Sequence, residues 1–320
     1  MNFRAGLSWC VLPARPSLRH LQRLAVTACL GLLAACTTPP APPPTPEPVQ
    51  PPVAQPAPTR PLRLGLALGG GAARGFAHVG VIQVLERNGI RPELVTGTSA
   101  GSLVAVLYAS GKNGAELERA ALAMEEATIT DWTLPLFSRG MLRGDALARY
   151  VNQQVGGKLL EQLPLPVGVV ATELQRGEGV VFRRGDTGTA VRASSAVPGV
   201  FVPVEISGRE YVDGGLVAPV PVRQARQMGA ELVIAVDISS APEGNATNDT
   251  FRMLLQTFAI MGQSINRLEL GSADMVVRPA LAGVGSADFA SRQRSIEAGR
   301  AAMTAALPRL KALLERRVPL

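Results

Sequence analysis

Residues 64–86 read LGLALGGGAARGFAHVGVIQVLE. The apolar run 62–68 has the composition of a strand buried on both faces. Gly69, Gly70 and Gly71 interrupt it, and from 76 to 87 apolar residues recur at helical spacing. Strand, glycine-rich turn and helix make the opening unit of an α/β domain, and the chain repeats the alternation. Short apolar runs at 93–95, 166–171, 179–182, 232–237 and 274–278 predict strands, and helical periodicity covers 100–110, 113–126, 145–155, 249–269 and 292–317. The expected fold is α/β, a mostly parallel central sheet with helices on both faces. Residues 63–320, about 258 in all, suit one such domain.

In such sheets chemistry gathers where strands end and helices begin. At the first of these turns the glycines let the backbone aim N–H groups at a phosphate or an oxyanion, helped by the positive end of the helix. A dinucleotide site is disfavoured, because the spacing is not G-x-G-x-x-G and no acidic residue ends a second strand about 20 residues on. No Gly-Lys-Ser/Thr follows, which excludes a P-loop.

The second turn is Gly97-Thr98-Ser99-Ala100-Gly101, between the strand-like Leu94-Val95 and the helical SLVAVLYAS. A nucleophile elbow needs that context, with small residues at 97, 100 and 101 because its bent backbone leaves no space for side chains. A plain helix N-cap is the other reading of Ser99. The third turn, Tyr211-Val212-Asp213-Gly214-Gly215, places an acid in a glycine turn, where Asp is also a common turn former.

A serine nucleophile normally has a histidine beside it, and this chain holds two, His20 and His78. No histidine follows Asp213, so the order Ser, acid, His cannot be completed. His20 lies in the leader, and His78 sits a helical turn away from the glycine loop. A shielded carboxylate within reach can take the proton directly. Asp213 and Asp237, the latter at the end of 232–237, are both placed for it, and spacing does not choose between them.

Composition narrows the remaining classes. The net charge is +7, from 32 basic and 25 acidic residues, and four of the basic ones, Arg4, Arg15, Arg19 and Arg23, fall in the first 36 residues, where no acid occurs. The rest balances to +3 without a dense basic run, which argues against nucleic-acid binding. All three cysteines, Cys10, Cys29 and Cys36, also lie in the leader, so the body carries no disulfide framework and no cysteine metal site. With one histidine there, no zinc or iron site is expected.

The leader has a basic segment and then about a dozen apolar residues after Arg23, too short to span a membrane but fitting a secretory signal. It ends in Leu33-Ala34-Ala35-Cys36, which resembles the bacterial lipobox. That resemblance implies a signal over 1–35, lipidation of Cys36, and, with Thr37 next, a lipid anchor in the outer membrane facing the periplasm. Residues 37–62 hold 12 prolines in 26 positions. Extended as polyproline II at ~3.1 Å per residue they reach roughly 80 Å, so 36–62 reads as a tether.

The three turns together resemble the patatin-like phospholipases, in the bacterial branch related to neuropathy target esterase. The resemblance rests on LALGGGAARGFAHVGVIQVLE, VTGTSAGSLVAVLYASG, VVATELQRGEGVVF, VRASSAVPGVFVPVEISGREYVDGGLVAPVPV and ELVIAVDIS, in family order over about 64–240, with 241–320 helical and less diagnostic. It implies a patatin-like three-layer sandwich and a serine-aspartate dyad, with Ser99 as nucleophile, Asp213 as base and Asp237 a structural strand-end residue. Gly69, Gly70, Gly71, Arg74 and Gly75 match the oxyanion loop, although three residues separate Gly71 from Gly75, one more than in the plant form. Gly97, Gly101, Gly214 and Gly215 complete the motifs. The implied chemistry is cleavage of phospholipid or lysophospholipid esters through an acyl-enzyme, with no metal or organic cofactor. Acyl transfer on the same dyad and an envelope scaffold with an idle fold are the alternatives; the intact loop, serine and acid weigh against the scaffold. Residues 127–144, with Trp132, Leu134, Leu136 and Phe137, read as core packing or a membrane-facing lid.

Overall fold

All five residues of Leu64–Leu68 and all five of Leu232–Val236 are buried, and the two segments pair in parallel, Leu64 opposite Leu232 and Leu68 opposite Val236. The computed structural model describes residues 59–131, 139–242 and 247–319. In chain order the described strands are β1 (Thr59–Pro61), β2 (Leu64–Leu68), β3 (Leu94–Thr98), β4 (Gly140–Leu142), β5 (Val167–Glu173), β6 (Glu178–Phe182), β7 (Gly199–Phe201), β8 (Val204–Ile206), β9 (Arg209–Asp213), β10 (Leu232–Val236), β11 (Met275–Val277) and β12 (Arg317–Pro319). The helices are α1 (Ala77–Arg87), α2 (Ala100–Ala109), α3 (Gly114–Ala123), α4 (Glu126–Ile129), α5 (Asp145–Gln154), α6 (Thr187–Ser194), α7 (Val222–Gln227), α8 (Thr250–Glu269) and α9 (Arg292–Leu314).

The main sheet runs β11-β10-β2-β3-β5-β9-β8, with β6 also on β5. From β11 to β5 every pairing is parallel, whereas β6, β9 and β8 join antiparallel. Side chains alternate across it as a pleated strand requires. Leu64, Leu66 and Leu68 of β2 and Leu232, Ile234 and Val236 of β10 enter one core, built with α1, α2 and α9. Ala67, Val233 and Ala235 enter a second core on the other face, under Val222, Ala225 and Met228 of α7 and the residue after it. Helices therefore cover both faces. Burying each Leu or Ile contributes about 1.5–3 kcal/mol.

One pairing decides where the chemistry sits. Val169 to Glu173 of β5 pair with β6 along one edge, so β3 and β9 must share the other. Thr98, the last residue of β3, lies opposite Val170, and Asp213, the last of β9, opposite Ala171. Two strands running in opposite directions thus meet end to end on β5.

The sequence reading differs from the structure in three places. The stretch 113–126 is two helices, because Met124 and Glu125 are extended, and the first is closed by an Asn113–Glu116 capping box. The short helices α6 and α7 carry too little apolar periodicity to stand out from loops. The end of the proline-rich stretch belongs to the folded body: β1 pairs antiparallel with β12, and Arg60 donates to both carboxylate oxygens of Glu231, at 2.6 and 2.7 Å. Strand pairing needs only alternate N–H groups, which Thr59 and Arg60 retain beside Pro61. Cys36, the tether up to residue 58, and Trp132, Leu134, Leu136 and Phe137 lie outside the described residues.

Candidate active site

β3 ends at Thr98 and α2 begins at Ala100, so Ser99 makes the whole turn. Its backbone has φ 52° and ψ −124°, a conformation that costs a residue with a side chain about 1–3 kcal/mol. The neighbours explain why the sequence there is small. A Cβ on Gly97 would lie 2.4 Å from the Gly101 carbonyl oxygen, and one on Gly101 would lie 2.1 Å from that of Leu68. The Ser99 amide donates to Ser194 Oγ at 2.9 Å, and Ser194 Oγ donates to the Val170 carbonyl at 2.5 Å. Ser99 is therefore fixed to the neighbouring strand by a side chain at the end of α6, and the positive end of α2 starts beside it.

Asp213 arrives from the opposite direction. Its amide donates to the Ala196 carbonyl at 2.9 Å, and its carbonyl accepts from Thr172 Oγ1 at 2.8 Å. The segment 194–196 thus holds both the serine and the acid. Asp213 is only 6 % exposed; Oδ1 accepts from the Gly215 amide at 2.7 Å, while Oδ2 is buried without a full hydrogen bond. Burial pushes this carboxyl up to about 6, against the opposing pull of the Ser99 hydroxyl and the Gly215 amide. An acid in that state holds a proton firmly enough to accept one from a hydroxyl, yet is largely ionised at neutral pH.

Strand order separates the two carboxylates that spacing left open. β2 lies between β10 and β3, so the end of β10 is two strands, roughly 10 Å, from the end of β3. Asp237 is also fully engaged: Oδ2 accepts from Arg278 Nε at 3.0 Å, and Oδ1 accepts from the amide and hydroxyl of Ser239 at 3.1 and 2.6 Å. It closes the strand end, held by Ser239 and Arg278.

His78 is fully buried and its Nε2 donates to the Gly69 carbonyl at 2.8 Å, while Nδ1 has no partner among the described residues. Burial pushes it down to about 4, so it is neutral at pH 7 and holds the glycine loop in place. Within that loop, Gly69 and Gly70 direct their amides to the Val236 and Pro219 carbonyls at 3.0 and 2.9 Å, and the Arg74 amide goes to Gly71 at 3.2 Å. Among the described residues, the amides of Gly71 and Ala72 have no protein acceptor. Ala72 has φ 50°, a left-handed conformation uncommon for a residue other than glycine. A Cβ on Gly70 would approach that of Ser99 to 3.2 Å, so the loop and the serine are in contact. Arg74 is 8 % exposed, donates to Gly71, and has no ion pair among the described residues; burial lowers its pKa while Asp237 opposes. The sequence reading named Gly69, Gly70, Gly71, Arg74 and Gly75 together but passed over Ala72, Ser194 and Thr172, whose roles come from contacts across the sheet.

A cavity of about 510 Å³ opens over this turn, lined by the glycine loop, Ser99 and Asp213 and continuing between apolar side chains such as Leu103, Leu107, Leu117 and Met124. Gly214 and Gly215 lie beside the acid, where a Cβ on Gly214 would come within 2.2 Å of the Val170 carbonyl oxygen. Helix α8 forms part of the cavity wall through Leu255, Phe258 and Ala259. The same helix exposes Met253, Ile260, Met261 and Leu268 to solvent.

The patatin-like phospholipase family model matches residues 66–226. An uncharacterised NTE-family protein of Mycobacterium tuberculosis is 40% identical over 185 residues, covering 58% of this chain and 51% of that protein. A second one from the same species is 30% identical over 274 residues, 76% of this chain and 46% of that protein. Mouse patatin-like phospholipase domain-containing protein 6 is 34% identical over 188 residues, 56% of this chain and 14% of the mouse protein. The chain spans about half the length of the mycobacterial relatives. Among solved structures, VipD of Legionella pneumophila superposes with a TM-score of 0.54 at 16% identity, over 78% of this chain and 68% of VipD, a likeness of fold.

Proposed function

Because the chain belongs to the patatin-like phospholipase family, we propose that it is a serine lipid acyl hydrolase that cleaves phospholipid or lysophospholipid esters on a dyad of Ser99 and Asp213. The observation that carries this reading is the meeting of β3 and β9 on β5, with a strained serine turn beside a buried carboxylate whose Oδ2 has no full hydrogen bond. As Ser99 Oγ attacks the acyl carbonyl carbon, its proton passes to Asp213 and the carbonyl π electrons move to oxygen. The amides of Gly71 and Ala72 receive that negative charge, and one such donor contributes about 10²–10³ in rate. Collapse expels the alcohol, which takes the proton, and leaves an acyl-enzyme. Asp213 then deprotonates a water that attacks the ester, and the fatty acid leaves as Ser99 recovers its proton. The apolar cavity suits an acyl chain.

Helix α8 turns Leu255, Phe258 and Ala259 to the cavity and Met253, Ile260, Met261 and Leu268 to solvent on its opposite side, an exposed apolar face that fits a lipid surface beside the acyl cavity. Lipidation of Cys36 on a secretory signal would hold the enzyme at an envelope membrane, with the proline-rich residues as spacer. A Cys36→Ser protein should then lose palmitate labelling and leave the membrane fraction. The catalytic reading is tested by a fluorophosphonate probe and by mass spectrometry of fatty acids released from envelope lipids. Labelling and release should both vanish in Ser99→Ala; an unlabelled wild type would refute the reading.

A further inference from the structure

A second cavity, of about 570 Å³, adjoins the first: Ser239, Ser240 and Gln263 line both. Its wall is of a different character, with Asn266, Arg267, Arg278 and Asp237 on it. Asn266 is 3 % exposed, and among the described residues neither the nitrogen nor the oxygen of its side-chain amide has a hydrogen-bond partner. Leaving such a buried amide unpaired is unfavourable, and a leucine of similar shape would avoid the cost. Among the described residues Arg267, on the exposed side, donates only to Gln263 Oε1, at 3.4 Å, and to no carboxylate. Arg278 is tied to Asp237, whose other oxygen is taken by Ser239, so the two guanidiniums outnumber the single, already engaged acid. The wall is cationic, rich in donors and contiguous with the acyl cavity.

We infer that this second cavity is a headgroup subsite for the phosphodiester of a glycerophospholipid, an inference that rests on the hydrolase reading for the ester it positions. The Asn266 amide nitrogen and the Arg267 and Arg278 guanidiniums donate to the phosphate oxygens, while the acyl chain lies in the neighbouring apolar cavity. Planar forked guanidiniums match phosphate geometry, and burial strengthens the amide contact. Asn266 Oδ1 is left to accept from a glycerol hydroxyl or a bridging water. A neutral acylglycerol has no group to satisfy the cationic end, so headgroup charge, and not only chain length, selects the substrate.

The test compares two esters with the same acyl chain, 1-oleoylglycerol and 1-oleoyl-glycerophosphocholine, on the full chain carrying Arg267→Gln or Asn266→Leu. The ratio of kcat/KM for the phospholipid over the acylglycerol should fall about tenfold in each variant, chiefly through KM, although Asn266→Leu should raise thermal stability. Glycerophosphocholine should inhibit the wild type competitively, and inorganic phosphate much more weakly. An unchanged ratio in both variants would overturn the subsite. Equal inhibition by inorganic phosphate would overturn the lipid headgroup and assign the site to free phosphate. If wild type cleaves neither ester the hydrolase reading fails separately. Calorimetric titration of Ser99→Ala protein with glycerophosphocholine then decides the subsite: binding abolished by adding Asn266→Leu supports it, and no binding removes it.

Discussion

Replacing Asp213 by Asn should make the protein more stable and less active at once, with the gain in stability confined to one side of a pH window. Burial raises the native carboxyl from its ordinary 3.8 to about 6, so between those values the folded state binds the proton that the unfolded state releases. Unfolding free energy therefore falls as pH rises through the window, by about 3 kcal/mol at about 1.4 kcal/mol per pH unit. Asn keeps the oxygen that accepts from Gly215 and carries no charge. The stability difference between variant and wild type should be near zero below pH 4 and reach about 3 kcal/mol above pH 7. The wild-type curve alone conceals this, because His78 acts in the opposite sense. Its native value is about 4 against an ordinary 6.5, so the stability it contributes is present at neutral pH and lost as pH falls. Urea titrations of both proteins at half-unit steps from pH 3.5 to 8 isolate the Asp213 share. In parallel, kcat/KM of the wild type on a soluble ester should rise with pH about a midpoint near 6, and the variant should lose about 10²–10⁴. A difference in stability that is constant across the range would refute the argument that Asp213 is ionised at the expense of the fold.

Three further outcomes follow from neighbouring groups. Ser194→Ala leaves the part-buried Ser99 amide without its acceptor, which should cost about 1 kcal/mol in a denaturant melt and lower kcat more than it alters KM. His78→Gln can still donate to Gly69 but has nothing to titrate; it should abolish a loss of about 3 kcal/mol that wild type suffers between pH 6.5 and 4, read against Asp213→Asn as background. Leu268→Glu with Met261→Glu charges the open face of α8, so hydrolysis of phospholipid vesicles should drop at least tenfold while a short soluble ester is cleaved as before.

The alternation of buried runs and helical segments was legible because β2, β3, β5 and β10 are buried along their whole length. A residue pattern of that kind reports burial directly. The Ser99 elbow was legible for a similar reason, since the small residues about it answer a local backbone constraint. The choice between Asp213 and Asp237 was not in the spacing. Both end strands, and only the order of the sheet, with β2 interposed on one side and β9 antiparallel on the other, separates them; the resemblance supplied what periodicity lacked. Ser194 illustrates the remainder. In Ala193-Ser194-Ser195-Ala196 nothing distinguishes one hydroxyl from the other, yet one bridges two strands and the other does not. The folding back of Thr59–Pro61 was hidden by the prolines around it, and its partner strand lies at the far end of the domain.

That β5 carries both partners on one edge gives the pair a shared carriage. A displacement of this strand would carry hydroxyl and acid together, like two passengers on one rail. The gap between them is then set by the two short turns at the strand ends, and a substitution that reshapes either turn should alter the proposed proton transfer more than one elsewhere in the sheet.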